Sequence, residues 1–482
     1  MVTRLLASWY RMGQDDGYPA PGYGMAANLS LPHEIVDARD PEAASTLWDG
    51  AVEGHVLVKN DGVLPLKKPK MLSLFGYSMR APSRNNLEHM APGNRFQSWA
   101  IGVQSANITE VSINWLDSLA AVPSDIAPNG TLISGGGSGA GAWSTFSAPY
   151  DAFVQRAKKD RTALLWDFDT ANPVVMASSD ACVVAGNVWA TEGYDRPNVR
   201  DKYTDDLVLA VASQCNNTIV VFHNAGTRLV DAFADHPNVT AIVFAHLPGQ
   251  DSGDALVALL YGDENPSGRL PYTVAHDEAD YGHLLKPDKT LAPHRFQNFP
   301  QSDFKEGVYL DYRRFDALNV TPRYEFGFGL SYTTFGYGNL RMSRTSAATQ
   351  PLPTGPVVEG GRADLWDVVA VVEADVTNTG GRDGKEVAQL YVGIPTPGES
   401  GVAMESRQPV RQLRGFEKPL IRAGETARVR FELTRRDLSV WDVTAQEWRL
   451  QSGPYAVSVG RSSRDLPLKG RLRLGRCGRV SR

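Results

Sequence analysis

Ala181-Cys182-Val183-Val184-Ala185-Gly186 is a run of small and β-branched apolar residues without polar alternation, which predicts a buried β-strand. Two further apolar runs follow it, Thr218 to His223 and Ala241 to Ala245. The stretches between these runs, Thr204 to Gln214 and Leu229 to His236, have helical spacing. Because buried strands that alternate with helices form parallel sheets covered on both faces, this part of the chain is predicted to be an α/β sandwich.

The same alternation begins further upstream, with a predicted helix from Ala43 to Val58, a strand from Met71 to Phe75 and a helix near Pro149 to Lys159. We therefore assign residues 43–275 to the α/β sandwich. Residues 1–42 are predicted to hold one amphipathic helix and a Pro/Gly-rich linker, because the apolar residues near the start recur at helical spacing.

The alternation of predicted helices and strands ends after residue 275. Residues from about Asp277 to Gln301 are rich in His, Pro and Asp and show no periodicity, and residues 276–337 are assigned to a connecting segment. Short alternating runs separated by turn residues then predict an all-β sandwich over residues 338–475, with strands at Val368 to Val376, Glu386 to Ile394, Glu425 to Leu433 and Tyr455 to Val459. Residues 476–482 form a short basic tail. The predicted fold class is thus α/β followed by all-β.

Composition excludes several classes of function. The 482 residues exceed the size of a single core, so two or more domains are expected. The formal net charge of −5 is spread over interspersed acids and bases, which leaves no basic stripe for nucleic acid. No window approaches the roughly 20 apolar residues that cross a bilayer, and the N-terminus does not read as a signal peptide. Without a CxxC motif or a histidine cluster, we expect no metal and no cofactor.

One carboxylate stands out at the edge of the predicted sheet. Glu192, in Thr191-Glu192-Gly193-Tyr194-Asp195-Arg196, follows closely on the first quoted strand. Enzymes of the α/β class keep their chemistry at the carboxyl ends of the strands, so Glu192 is a candidate proton donor with a raised pKa. The alternative is a solvated loop acid. Asp195 and Arg196 are expected to pair and orient the loop, with substrate contact by Arg196 as the alternative.

Other motifs carry weaker signals. The glycine cluster from Ser134 to Gly141 matches neither Walker A nor the dinucleotide fingerprint, which argues against a flavodoxin-like nucleotide binder and favours a loop beside a ligand cleft. His223 and His246 end two strands and are interpreted as structural histidines. The remaining acids considered for the same role as Glu192 are Glu53, Glu306 and Asp251, the last of which is expected to cap the helix that follows it.

Two features bear on the cellular compartment. Sequons for N-glycosylation occur at Asn28, Asn107, Asn129, Asn216, Asn238 and Asn319, as in a secreted glycoprotein. Cys182 and Cys215 lie on either side of one predicted helix and could pair, whereas Cys477 stands alone in the tail. The sequence leaves open whether a disulfide forms.

An ordered series of motifs resembles the C-terminal half of glycoside hydrolase family 3, in particular the fungal secreted β-glucosidases. The motifs are Val58-Lys59-Asn60-Asp61-Gly62-Val63-Leu64-Pro65-Leu66, Gly135-Gly136-Gly137-Ser138-Gly139, Glu192-Gly193-Tyr194-Asp195-Arg196, Pro248-Gly249-Gln250-Asp251-Ser252-Gly253, Asn265-Pro266-Ser267-Gly268-Arg269-Leu270-Pro271, Glu306-Gly307-Val308-Tyr309 and Phe326-Gly327-Phe328-Gly329-Leu330-Ser331-Tyr332. The stretches Val387 to Val392 and Gln412 to Lys418 resemble the fibronectin type III-like domain of that family.

The resemblance implies a division of labour between domains. Members of the family carry an N-terminal (β/α)8 barrel that holds the sugar and supplies an aspartate nucleophile, usually within Ser-Asp-Trp, and this sequence contains neither. The general acid/base glutamate maps onto Glu192, and we expect substrate contacts from Gly137, Ser138, Tyr194 and Arg196. The implied activity is retaining hydrolysis of terminal β-D-glucosyl residues by a secreted enzyme.

Absence of the barrel leads to three further expectations. The chain by itself should be inactive or nearly so, because only one carboxyl group of the catalytic pair is present. Its uncovered cleft face should promote association between copies. The alternative function is a non-catalytic sugar-binding or scaffolding module derived from the family.

Overall fold

The computed structural model describes residues 1–17, 39–81, 126–127, 130–135, 146–190, 196, 198–285, 304–347, 349–396 and 408–474. Helices of the described residues are α1 (Val2–Arg11), α2 (Ala44–Gly54), α3 (Pro149–Asp160), α4 (Lys202–Ala212), α5 (Ser252–Tyr261) and α6 (Tyr312–Ala317). Among them, none is long and apolar enough to cross a bilayer.

A six-stranded sheet forms the centre of the first domain. Its strands are β1 (Val56–Asn60), β2 (Met71–Phe75), β3 (Ala163–Asp167), β4 (Ala181–Val188), β5 (Thr218–Asn224) and β6 (Val239–Phe244), in the order β1-β6-β5-β4-β2-β3. All neighbours are parallel except β1, which runs antiparallel to β6 at one edge. The predicted mostly parallel α/β sheet is confirmed.

Both faces of this sheet are covered, as expected for strands that are apolar on both sides. On one face, Val184, Val220 and Phe222 pack against α4 residues such as Leu207 and Val211. On the other face, the alternating residues of the same strands pack against Phe153 of α3 and Leu256 of α5. A disulfide joins Cys182 at the start of β4 to Cys215, which follows α4.

Two predicted helices differ from the structure. The helix predicted from Ala43 to Val58 ends at Gly54, and the apolar residues from Val56 onward form the edge strand β1. The segment from Leu229 to His236 forms turns, although its buried residues recur at helical spacing. Only isolated turn bonds form there, such as that from the Ala234 amide to the Val230 carbonyl (2.8 Å).

The second domain, called the β domain below, consists of antiparallel strands. They are β7 (Phe335–Arg344), β8 (Val357–Val358), β9 (Gly361–Arg362), β10 (Val368–Asn378), β11 (Gly384–Lys385), β12 (Ala388–Gly393), β13 (Gln412–Glu417), β14 (Leu420–Ile421), β15 (Thr426–Thr434), β16 (Ser439–Asp442), β17 (Glu447–Leu450), β18 (Pro454–Gly460) and β19 (Leu468–Arg473). The sheets β15-β10-β7 and β13-β12-β18-β19 enclose a common apolar core. The predicted all-β domain is confirmed.

The described part of residues 276–337 packs onto the first domain. Tyr281 and Phe315 belong to the core of the α4 face, and Tyr324 pairs with Val274 in an isolated bridge. The rings of Tyr324 and Phe328 are stacked with their centroids 5.7 Å apart. This stretch is buried by side chains at irregular spacing together with the short helix α6, whose Tyr312 and Phe315 face inward.

Candidate active site

The candidate acid Glu192 lies in the segment 191–195, which is outside the described residues, as are Tyr194, Asp195, Gly137 and Ser138. Ala190 and Arg196, on either side of this segment, are described, and the chain that leads into it leaves β4 at the carboxyl ends of the parallel strands. Val188, the last residue of β4, is paired with Asn224, the last residue of β5. In α/β folds this is the edge at which ligands bind.

The chain before residues 191–195 is held by Asn187 and Trp189. The fully buried amide of Asn187 donates to the carbonyls of Ala127 (2.8 Å) and Gly130 (2.9 Å), and its oxygen accepts from the Ala127 amide (2.9 Å). Trp189 is buried against Ala127 and Leu132. These contacts bring the end of β4 next to the stretch that leads into the glycine cluster.

The start of the glycine cluster lies against the same strand end. A Cβ atom added at Gly135 would stand 3.9 Å from the carbonyl oxygen of Ala190 and 3.9 Å from the side chain of Leu247. Residues 136–141 of the glycine cluster and the segment 191–195 lie outside the described residues, but they follow Gly135 and Ala190, which are neighbours in space.

The chain after residues 191–195 is held by the loop that follows β5. Arg196 donates from Nη1 to the carbonyl of Thr227 (3.0 Å), and the Leu229 amide donates to the carbonyl of Val199 (2.9 Å). The Val199 amide in turn donates to the carboxylate of Glu278 (3.0 Å). Arg196 is thus bonded to the loop after β5, whereas its expected pairing with Asp195 lies outside the described residues.

A neutral hydrogen-bonded chain occupies the ends of β5 and β6. Nδ1 of His246 lies 2.8 Å from the Gly54 carbonyl, so Nδ1 carries the proton, and Nε2 accepts from the Tyr272 hydroxyl (2.8 Å). The amide of Asn224 donates to the same hydroxyl (2.7 Å). Burial lowers the pKa of His246 and raises that of Tyr272, which keeps both groups uncharged. These contacts support the structural interpretation of His246.

His223 is also enclosed by the protein. It is fully buried, and its Nδ1 lies 3.0 Å from the hydroxyl of Ser78, which is buried as well. Burial lowers the pKa of His223 to about 3. A serine and histidine pair of this kind resembles a nucleophile and its base in distance alone, because no substrate reaches it.

The other acids considered for the same role differ in their surroundings. Glu53, on α2, accepts hydrogen bonds from Lys385 and Lys418 (2.5 Å) of the β domain. Asp251 stands at the N-cap position of α5, but its side chain makes no capping hydrogen bond, so the predicted capping role is wrong. Glu306 lies in a turn, where its carbonyl accepts from the Tyr309 amide (2.9 Å).

Three of the six sequons lie among the described residues. Asn216 and Asn319 are exposed. Asn238 is half-buried, and its side-chain amide donates to the carbonyl of Ala212 (2.8 Å), so its nitrogen is already engaged. Asn28, Asn107 and Asn129 lie outside the described residues.

Two residues that frame the site were not identified from the sequence. Asn187 could have been identified from the sequence, because it is a polar residue within the otherwise apolar strand β4. Arg228 had none, since its contacts are with Asp201 and Asp205, far away along the chain. Among the described residues, no group of three or more His, Cys, Asp or Glu side chains is arranged to hold a metal ion.

Comparison with known proteins gives consistent matches along the chain. Residues 55–332 match the glycosyl hydrolase family 3 C-terminal domain, and residues 386–463 match a fibronectin type III-like domain. A probable beta-glucosidase M of Aspergillus fumigatus is 50% identical over 475 residues, and a beta-glucosidase of Pyricularia oryzae is 49% identical over 478 residues. Each alignment covers 98% of this chain but only 56% and 58% of the relative.

Solved structures agree with these relatives. The crystal structure of a beta-D-glucoside glucohydrolase from Trichoderma reesei is 35% identical and superposes with a TM-score of 0.77. The match covers 98% of this chain and 60% of that protein. The chain thus spans somewhat more than half the length of the proteins it resembles.

Proposed function

Because the chain belongs to glycoside hydrolase family 3, we propose that it forms the C-terminal part of a β-glucosidase and that Glu192 is the general acid/base of that enzyme. The observation that supports the proposal is where the described chain stops and resumes around residues 191–195. It stops just after Asn187 at the carboxyl end of β4, beside Gly135, and resumes at Arg196, which is bonded to the loop after β5. A carboxyl group at this edge is well placed to meet a sugar bound by a neighbouring domain.

The proposed reaction is retaining hydrolysis of a terminal β-D-glucosyl residue. Such enzymes place two carboxyl groups roughly 5 to 5.5 Å apart, one as nucleophile and one as acid and then base. Glu192 protonates the leaving oxygen and later removes a proton from the attacking water. The nucleophile belongs to the barrel of the whole enzyme, so the 482 residues by themselves are expected to hydrolyse β-glucosides very slowly or not at all.

A fusion protein tests this assignment. The part of the Aspergillus fumigatus relative that this chain does not match is joined ahead of the 482 residues, and hydrolysis of aryl β-glucosides is measured. We expect the fusion protein to be active and Glu192→Gln to lower kcat by about 10² to 10⁴, the range typical of a lost general acid or base. The decrease should be larger for a poor leaving group, which needs a proton more than a good one does.

Glu417→Gln is the matched control, because it makes the same chemical change at an exposed acid at the end of β13 in the β domain. A fusion protein whose activity is unaffected by Glu192→Gln would overturn the role of Glu192. Hydrolysis by the 482 residues alone would overturn the proposal that the nucleophile lies elsewhere. Sugar binding by the folded 482 residues on their own, together with a folded but inactive fusion protein, would favour the non-catalytic module.

We also propose that the enzyme is secreted and carries glycans at Asn216 and Asn319, the two exposed sequons. A disulfide between Cys182 and Cys215 fits an oxidising compartment. Mass spectrometry of protein secreted by a fungal host, before and after glycan removal, tests both sites. The engaged amide of Asn238 predicts an unmodified residue there.

The 482 residues alone are proposed to associate with further copies of themselves. Helix α1 buries none of its residues and exposes Leu5, Leu6, Trp9 and Tyr10. Light scattering of the 482 residues should give a mean mass larger than that of a monomer. The fusion protein should associate less than the 482 residues do. Monomeric behaviour at high concentration would contradict this proposal.

A further inference from the structure

Six exposed cations lie at the amino edge of the central sheet, opposite the edge at which Val188 and Asn224 end β4 and β5. Three belong to the segment that leads into β2, and three belong to the end of α3 and the turn before β3. We call these six the basic edge: Lys67, Lys68, Lys70, Lys158, Lys159 and Arg161. The two groups are far apart along the chain, so the fold brings together charges that the sequence shows as interspersed.

Backbone contacts hold the two groups side by side. The Thr162 hydroxyl donates to the Pro69 carbonyl (2.7 Å), and the Ala163 amide donates to the Lys70 carbonyl (2.7 Å). On the other side, the Lys70 amide donates to the carboxylate of Asp180 (2.6 Å). The backbone of the basic edge is therefore fixed before a partner binds, and binding needs to order only the side chains.

The six cations have no ionic partner among the described residues. Carboxylates of the same region are engaged elsewhere, since Asp160 pairs with Arg156 (2.6 Å) and Asp61 pairs with Lys59 (3.2 Å). The lysines in the last turn of α3 complement the dipole of that helix, but this does not account for the three lysines that precede β2. Because the whole chain has a formal net charge of −5, this concentration of positive charge is local.

The lysines that precede β2 line an open groove of about 590 Å³, together with Asp61, Asp180 and Asn217. Like charges held along a groove attract a polymer of opposite charge and raise its local concentration. We propose that the basic edge binds a polyuronate, a polysaccharide with carboxylate groups, as a single extended chain.

The chemistry of the groove favours a polyuronate over other polyanions. The described residues that line the groove include no aromatic side chain for stacking on nucleic-acid bases and no exposed large apolar side chain for entering a membrane. Five of the six cations are lysines, which act as point charges, whereas bidentate recognition of phosphate favours arginine. A polysaccharide also suits a member of a family of glycoside hydrolases, and binding at the amino edge leaves the opposite edge open.

Binding to polygalacturonate, measured by calorimetry with the 482 residues and with the fusion protein, tests this inference. We expect both proteins to bind polygalacturonate and neither to bind its fully methyl-esterified form, which has the same backbone without the charges. Lys67→Gln/Lys68→Gln/Lys70→Gln should weaken binding at least about tenfold at low salt, and should reduce the slope of log Kd against log salt by about half, because half of the cations are removed.

The matched control is Lys202→Gln/Arg344→Gln/Arg422→Gln, which removes the same net charge from exposed positions spread over both domains. Its affinity for polygalacturonate should stay within about twofold of the parent, because distant charges are screened by salt. Both triple variants of the fusion protein should keep the kcat/KM of the parent toward a soluble aryl β-glucoside.

Several results would overturn the inference. Equal weakening in the two triple variants would show that net charge, rather than the basic edge, governs binding. Binding to duplex DNA or to phosphatidylserine vesicles without binding to polygalacturonate would reject the choice of partner. Binding by the 482 residues but not by the folded fusion protein would show that the rest of the enzyme covers this edge.

The exposed sequon at Asn216 precedes Asn217 in the groove, so secreted protein is measured before and after glycan removal. Binding only after glycan removal would show that a glycan fills the groove, and would also overturn the inference. Binding is measured without hydrolysis, so this inference does not depend on the role of Glu192. A fusion protein that is inactive but binds polygalacturonate would reject the proposed function and retain the polyuronate site.

Discussion

At the scale of single residues, two helical glycines are expected to respond in opposite directions to the same substitution. Gly253 in α5 lies so close to the start of α3 that an added Cβ atom would stand 2.2 Å from the Ala148 carbonyl oxygen. Gly50 in α2 is exposed and has no such neighbour within 4 Å. Gly253→Ala should therefore cost about 1 to 3 kcal/mol by forcing the helices apart, whereas Gly50→Ala should stabilise by about 0.5 to 1 kcal/mol.

Urea unfolding of both variants measures these changes in the free energy of unfolding. The two substitutions are chemically identical and both lie in helices, so each serves as the control for the other. A stabilised or neutral Gly253→Ala variant would show that α3 and α5 are not in close contact at this point.

The buried histidines predict a loss of stability in mild acid. Burial lowers the pKa of His55 to about 4 and that of His223 to about 3. The folded state therefore binds fewer protons than the unfolded state, whose histidines titrate near 6.5. Stability is fully present above that value and decreases as the pH falls below it, by about 2 kcal/mol for each histidine at pH 5.

Thermal unfolding between pH 7 and pH 5 checks this, because most carboxylates remain ionised in that interval. The parent protein should lose Tm steadily as the pH falls. His55→Asn and His223→Asn, where folded, should each have a lower Tm at pH 7 and a smaller further loss at pH 5. A Tm that does not change over this interval would contradict the assignment of neutral buried histidines.

At the scale of secondary-structure elements, the sequence predicted the strands that are buried along their whole length. It missed elements whose position depends on tertiary contacts. Strands β4, β5 and β6 are buried along their whole length, so their apolar runs could be read directly. Strand β3 at the sheet edge has an apolar run, Ala163 to Trp166, that was not assigned to a strand, and it is largely exposed. The end of α2 was misplaced because the apolar residues of Val56–Asn60 extend the helical pattern, although they pair with β6.

The same distinction applies to the candidate site. Glu192 could be identified because it follows a strand and belongs to a recognisable motif. The residues that hold the described chain around it could not, since their partners are distant along the chain: Arg228 meets carboxylates 23 and 27 positions away, and Asn187 meets carbonyls 57 and 60 positions away. Tertiary contacts of this kind leave no periodicity in the sequence.

The disulfide is expected to stabilise the part of the fold that carries the site. It closes a separation of 33 residues that contains the segment 191–195 and the whole of α4. Closing a loop of this length restricts the unfolded chain and contributes about 2 to 4 kcal/mol. The double variant Cys182→Ala/Cys215→Ala should therefore have a lower Tm than the parent, and the reductant that lowers the Tm of the parent should leave that of the variant unchanged.

Mass spectrometry after alkylation supplies the matching chemical test. When the protein is unfolded without reductant, we expect one thiol to be alkylated. When it is unfolded and reduced, we expect three thiols to be alkylated. Three thiols before reduction, in protein purified from an oxidising compartment, would show that the bond does not form.

At the scale of the whole molecule, the two domains are joined through charged side chains. Arg269 of the first domain donates to the carboxylate of Glu386 in the β domain (2.6 Å), and the exposed fractions of these two side chains are 9% and 1%. Glu386 also accepts from the Tyr337 hydroxyl (2.7 Å). A second ionic contact, between Glu53 and the lysines Lys385 and Lys418, is more exposed.

These two contacts should differ in energy because they differ in burial. Glu386→Gln leaves the buried guanidinium of Arg269 without its ionic partner, which is expected to cost about 3 to 5 kcal/mol, whereas Glu53→Gln removes an accessible pair and should cost at most about 1 kcal/mol. The larger loss weakens a contact between the two domains. Calorimetry of Glu386→Gln should therefore show the two domains unfolding in separate transitions, whereas the parent and Glu53→Gln should unfold in something closer to a single transition. If Glu386→Gln unfolds in a single transition at the Tm of the parent, the buried pair does not couple the domains, and their cooperation must come from the apolar and backbone contacts around it.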